Sequence, residues 1–179
     1  MKPLSTKLAA GAAFPDITLP TVGGGELSPA TQEGWRMVVV YRGKHCPLCK
    51  QYLDTLNGLH AGYRDAGISV MAVSGDPLEK ADAQVSSQDL AFAVGYDLGI
   101  AQMRQLGLYV SEPRSPQETD RPFPEPGLFV INPDDQLQII DVSNAPFARP
   151  DLASLLDGLK FIQDKHYPIR GTLVHDAAP

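Results

Sequence analysis

Apolar residues follow two different periods along this chain, and each change of period marks an element. Met37, Val38, Val39, Val40 and Tyr41 form the unbroken apolar run of a buried strand. Directly afterwards Cys49, Leu53, Leu56, Leu59 and Tyr63 recur at spacings of three and four, which predicts a helix over about residues 46–65. A β-rich run predicts a second strand at 68–74, and Trp35, the sole tryptophan, is expected to pack at the entry of the first strand. Pro77 then opens a helix at its first turn, where a missing N–H costs little, with Asp76 as the N-cap. A short strand at 91–94 and a helix at 98–106 follow.

Upstream, residues 14–19 read as a short strand, and the glycine-rich turn at 22–25 makes the N-terminal segment a hairpin or apron. Pro113, Pro116, Pro122, Pro124 and Pro126 make 111–126 a long loop without regular structure, either a rim for a site or plain surface. A core strand at 127–131, a turn at 132–135 and a hairpin partner at 136–142 come next. Asp151 is a first-turn acid for a closing amphipathic helix carrying Leu152, Leu155, Leu156, Leu159 and Ile162. Residues 168–179 show no periodicity and are free to be disordered or to reach another subunit, so a homodimer is compatible with the chain.

A length of 179 residues predicts a single domain, with its core at about 11–165. Against 15 basic residues stand 21 acidic ones, with no lysine or arginine run longer than a pair, so no nucleic-acid partner is expected. The stretch LAAGAA near the N-terminus is broken by Gly11 and too short for a secretory signal. Nothing else approaches the ~20 apolar residues of a membrane span, so no membrane partner is expected and the cytoplasm is the simplest compartment.

Chemistry concentrates in residues 41–50, YRGKHCPLCK, where both cysteines lie with only Pro47 and Leu48 between them. Cys46 falls where a strand hands over to a helix, and there the unpaired N–H groups and the positive end of the helix dipole favour a thiolate. Arg42, Lys44 and His45 add cationic or polarisable groups on the same side. A free thiol ionises near ~8.5, whereas CxxC thiols in such positions are commonly depressed to roughly 3.5–7.5. Cys46 is therefore the expected exposed nucleophile and Cys49, one turn on, the expected resolving thiol. Two blander readings compete: inert core thiols, or a zinc site for which His45, His60, His166 and His175 would have to converge on the pair. No metal and no other cofactor is expected. His45 itself is open to tuning Cys46, to acid–base work or to plain solvation.

Strands alternating with helices, then a hairpin and a last helix, give the order of a thioredoxin-like α/β fold: a central mixed β-sheet flanked by helices, with an N-terminal β extension. A CxxC on a strand–helix unit supports the same fold independently. Cys46 then belongs at the carboxyl edge of a central strand.

Three segments together resemble the peroxiredoxin-like branch of the thioredoxin superfamily, the alkyl hydroperoxide reductase/thiol-specific antioxidant proteins. They are AGAAFPDITLP, VVVYRGKHCPLC and EPGLFVINPDDQLQIIDVSNAPFARPDLASLLDGLKF, covering about Gly11 to Phe161. The resemblance implies that Cys46 is the peroxidatic position and that Arg149, in Pro-x-x-Arg, is an active-site arginine. It also exposes departures. Val39 and Gly43 stand where such proteins carry the proline and the hydroxyl residue of their cysteine motif, and Pro126 replaces a second arginine. Thioredoxins place a cis-proline before the strand facing CxxC, so Pro126 is expected to be cis and to hold the backbone of Glu125 open for an extended substrate.

The resulting expectation is a thiol–disulfide oxidoreductase of the peroxiredoxin-like family that cycles Cys46 and Cys49, with thiol peroxidase activity as the alternative and a metal-binding or redox-silent scaffold as the third. Its substrates would be a disulfide-bearing protein, a small thiol or a peroxide, and its reductant of the thioredoxin or glutathione type.

Overall fold

The computed structural model describes residues 7–173. Its chain opens with a hairpin of β1 (Leu19–Pro20) and β2 (Glu26–Leu27), followed by a 3₁₀ turn at Pro29–Thr31. Then come β3 (Trp35–Val40), α1 (Pro47–Asp65), β4 (Ile68–Val73), α2 (Leu78–Gln88), β5 (Ala93–Gly95) and α3 (Ile100–Gln105). The remainder is β6 (Val110–Ser111), β7 (Phe123–Pro124), β8 (Gly127–Ile131), β9 (Leu137–Val142) and α4 (Leu152–Lys165). None of the helices among the described residues is long and apolar enough to cross a membrane.

The main sheet runs β5-β4-β3-β8-β9, with β3, β4 and β5 parallel and β8 and β9 each antiparallel to its neighbour. It is the mixed, helix-flanked sheet expected, with β3 in the middle. Burial on both faces explains the unbroken apolar run of that strand. Met37, Val39 and Tyr41 face α1 and α4, where Leu53, Leu56, Tyr63, Leu152, Leu156 and Leu159 complete one half of the core. Val38 and Val40 face the other half, built from Met71, Val73, Phe129, Leu98, Met103 and Leu106 with Phe14 and Ile17 of the N-terminal segment. The hydroxyl of the buried Tyr63 donates to the Leu152 carbonyl at 2.7 Å, tying α1 to the start of α4.

Several boundaries move by one or two residues, as at β3, β5 and α3, and two departures from the sequence expectation are larger. The strand at 14–19 contracts to Leu19–Pro20, and Pro15 offers no N–H to a ladder; Phe14 and Ile17 plug the core while Ala13 forms a single bridge to Gln136. Conversely, the proline-rich loop contains a two-residue ladder: Ser111 pairs with Phe123 and Val110 with Pro124. A proline is tolerated there because a strand this short has an edge with no ladder partner.

Gly127 enters the sheet where a Cβ would lie 2.5 Å from Leu108 Cδ2 and 3.1 Å from Phe129 Cε2. Gly127→Ala should therefore cost about 1–3 kcal/mol by overpacking, read as a lower urea midpoint at unchanged slope.

Candidate active site

Three loops meet at the carboxyl ends of the parallel strands. The Tyr41 N–H donates to Val73 O at 3.1 Å, Ser74 N–H to Gly95 O at 3.3 Å and Leu98 N–H to Ser74 O at 3.0 Å. This lacing sets the path of residues 41–46 after β3. Gly43 has φ +133, and a Cβ on it would fall 2.7 Å from Asp76 Oδ1. The position where the related motif has a hydroxyl residue is thus filled by a carboxylate from the loop after β4.

Asp76 does not cap α2, as the sequence suggested; α2 has Pro77 at its N-cap and no side-chain cap bond. Its Oδ2 instead accepts the Lys44 N–H at 2.7 Å. Only 3 % exposed, the carboxylate needs a donor, and the sharp turn at Gly43 leaves the Lys44 amide facing it. Burial raises the Asp76 pKa above the ordinary value, with the Lys44 amide pulling the other way.

Cys46 is the N-cap of α1, and its Sγ accepts the Cys49 N–H at 3.2 Å. The two cysteines are joined as a disulfide, with 5.2 Å between their Cα atoms. Neither is exposed: Cys46 is at 3 % and Cys49 at 1 %. The expected exposure of Cys46 therefore does not hold in the disulfide state, because Cys46 packs into the α1 half of the core alongside Tyr41 and Leu53. Pro47 and Leu48 between the cysteines are the exposed part of the motif.

Arg149 is brought to the pair, but to its second member. Its Nη2 lies 2.7 Å from Cys49 Sγ, and its guanidinium stacks 4.7 Å from the Tyr52 ring centroid. Tyr52 in turn donates its hydroxyl to the Pro150 carbonyl at 2.8 Å, fixing the chain next to Arg149. Burial pushes the Arg149 pKa down to about 10, so it stays a cation at neutral pH.

The groups just ahead of Cys46 are turned elsewhere. Arg42 lies 4.7 Å above the Phe123 ring centroid, with Nε 3.4 Å from Glu125 Oε2 and Nη2 3.8 Å from Glu118 Oε1. His45 meets the same Phe123 edge-on at 4.7 Å, and burial lowers its pKa, so it is neutral at pH 7. The Lys44 side chain is exposed. Among the other histidines considered for a metal, His60 packs against Phe92 and His166 ends α4, away from the pair, and His175 lies outside the described residues.

Pro126 is not cis; the described chain has no cis peptide bond. The segment runs extended from the β7 ladder into the β8 ladder, and an extended path uses the favoured trans isomer. Nor is the Glu125 backbone open to a substrate, because its N–H donates to Tyr109 O at 2.8 Å. The proline-rich loop nevertheless forms the rim of the site, supplying Glu118, Phe123 and Glu125 around Arg42 and His45.

Tyr52, Glu118 and Phe123 escaped the sequence reading, which gave Asp76 a capping role and Glu125 a backbone role and missed the contacts of their carboxylates. Only Tyr52 carried a usable signal: it is three residues after Cys49 and so shares its helix face.

The raised pKa of Asp76 has a definite sign. Ionisation is opposed in the folded state, so the stability it contributes is full at acid pH and is lost as pH rises through the folded pKa, above the usual carboxylate range. Asp76→Asn, which keeps an acceptor for Lys44, should flatten that loss in urea titrations across the acidic and neutral range.

Comparisons with known proteins agree with the fold. The AhpC/TSA family model matches residues 10–140. No curated protein sequence matches the chain. Among solved structures, the fold is similar to peroxiredoxin 6 of Arenicola marina, at 17 % identity and TM-score 0.74 over 89 % of this chain and 76 % of that one. A peroxiredoxin-like protein from Aquifex aeolicus superposes with TM-score 0.75 at 16 % identity, over 89 % of this chain and 90 % of its own. Peroxidoxin BcpB from Mycobacterium tuberculosis gives TM-score 0.71 at 18 % identity, over 87 % and 98 % of the two chains. With its cysteine pair at the head of α1, the chain belongs to the AhpC/TSA family, whose members are thiol-dependent oxidoreductases that work through cysteine thiols without a prosthetic group.

Proposed function

We propose that this protein is a thiol–disulfide oxidoreductase in which Cys46 attacks and Cys49 resolves, with peroxide a slower oxidant. The Cys46 thiolate attacks one sulfur of a substrate disulfide and expels the other as a thiolate, leaving a mixed disulfide. Cys49 then attacks Cys46 Sγ, releases the second substrate thiolate and closes the intramolecular disulfide. An external thiol of the thioredoxin or glutathione type reduces it again. A catalytic rather than structural pair fits a cytoplasmic setting.

The observation that carries this reading is the placement of the two arginines. Peroxide reduction builds negative charge on the departing oxygen, and preorganised donors at that point supply much of the rate. Here Arg149 is bonded to Cys49, and Arg42 is held by Glu118 and Glu125, so Cys46 is left with the helix amide. Disulfide exchange needs only a thiolate and a second thiol in reach, both of which the first turn of α1 provides. Family membership favours the second reading, thiol peroxidase activity, in which the Cys46 thiolate takes one peroxide oxygen as a sulfenic acid, the other leaving as water or an alcohol, and Cys49 then condenses with the sulfenic acid, releasing water.

Cys49→Ser should accumulate mixed disulfides on Cys46 when the reduced protein meets a protein disulfide, and Cys46→Ser should accumulate none, by mass spectrometry after acid quenching. Equal trapping by both variants would overturn the roles. In stopped flow, peroxide should oxidise the reduced pair two to three orders of magnitude more slowly than an intact peroxidase site, from about 3 kcal/mol per missing donor. A rate near that of dedicated peroxidases would reverse the order of the two readings.

A further inference from the structure

We propose that Arg149, clamped by Tyr52, holds the buried Cys49 sulfur as a thiolate in the reduced protein, so that the second cysteine resolves mixed disulfides at neutral pH without a general base. The inference deepens the exchange reading above and rests on it for its catalytic meaning.

Burial of a thiol in apolar surroundings ordinarily opposes ionisation, and Cys49 is only 1 % exposed among Tyr41, Leu53 and Leu128. A resolving cysteine in that position would be protonated and slow. Arg149 reverses the balance, with Nη2 2.7 Å from Cys49 Sγ and two further guanidinium nitrogens, Nε and Nη1, buried without a hydrogen-bond partner. A cation so placed gains from a full negative charge on its one sulfur neighbour. Tyr52 is the positioning residue: its ring supports the guanidinium at 4.7 Å and its hydroxyl fixes Pro150. The other charges near this contact are Arg42 and Glu125, which act on Arg149 with opposite sign, and Asp141 and Asp151, which act on Tyr52. Cys46 has its own stabiliser in the Cys49 amide, so the pair has one anion-favouring group per sulfur.

In the resolving step the Cys49 thiolate forms the bond to Cys46 Sγ, the Cys46–substrate bond breaks, and the electron pair leaves on the substrate sulfur, which takes its proton from water. Nothing needs to remove a proton from Cys49 at that moment. A thiolate held in the reduced form also makes the couple more oxidising.

The test isolates each sulfur. In a Cys46→Ser background, Arg149→Met should raise the Cys49 midpoint, followed by thiolate absorbance against pH, by about 1–3 units, and Arg149→Lys by less. The same substitutions in a Cys49→Ser background should move Cys46 by a smaller amount. With both cysteines present, Arg149→Met should shift the equilibrium with glutathione toward the disulfide, about tenfold or ~30 mV for each unit. It should also accumulate mixed disulfide at neutral pH that resolves above about pH 9, an alkaline rescue that a purely structural role would not give. Near-UV circular dichroism monitors folding, and Tyr52→Phe, which loses only the hydroxyl bond, repeats the comparison if Arg149→Met does not fold. An unchanged Cys49 midpoint, or a larger shift on Cys46, would overturn the inference. Because the titrations need no substrate, they read Arg149 even if neither disulfide nor peroxide is turned over, a result that would sink the proposed function alone.

Discussion

The Cys49 N–H donates to the Cys46 sulfur across the first turn of α1, and the geometry of the whole site follows from that bond. A helix start leaves several amides without intrahelical partners, and here a sulfur does what a serine or aspartate oxygen does at other N-caps. The helix can begin there only because β3 delivers the chain to that point from the middle of the sheet. A strand buried on both faces cannot shift its register by one residue without sending a whole set of side chains into the wrong half of the core. The placement of Cys46 therefore inherits the stability of the central strand.

Around that turn the charges are sorted. Each arginine already has a partner: Arg149 the Cys49 sulfur and Tyr52, Arg42 the carboxylates of Glu118 and Glu125 with the face of Phe123. Several buried polar atoms beside them, Arg149 Nε and Nη1, both nitrogens of His45 and Glu125 Oε2, have no hydrogen-bond partner. Such groups cost stability wherever they occur, and their concentration at the disulfide is what a site that must accept changing charge would show. Arg36, fully buried near the opposite end of β3, pairs with Asp135 at 2.7 Å and likewise leaves its Nε without a hydrogen-bond partner.

The loop after α3 turns a strand–helix scaffold into an enclosed site. Its short ladder between β6 and β7 brings Phe123 over Arg42 and His45, and the bond from the Glu125 N–H to Tyr109 O holds the rim against the body of the protein. Asp76 closes the adjacent side by occupying the space that Gly43 leaves open. The substitution of glycine for a hydroxyl residue is thus one half of an exchange whose other half lies 32 residues away from Lys44.

Local pattern was enough for the elements: the apolar run of β3, the three-and-four spacing of α1, the hairpin of β8 and β9 and the leucine spacing of α4 each depend on residues within a few positions of one another, although Asp151, read as a first-turn acid, is the N-cap of α4. It was enough, too, for the cysteine pair and its place at a helix start, because CxxC fixes both sulfurs to one turn. Proline content misled at 111–126 and at Pro126, since a proline records only its own lost N–H and restricted φ, while the ladder and the trans path around it come from distant partners. Which sulfur Arg149 meets was beyond any sequence pattern. That contact spans 100 residues and exists only because α4 packs on α1, so the division of charge between Cys46 and Cys49 was decided by tertiary packing alone.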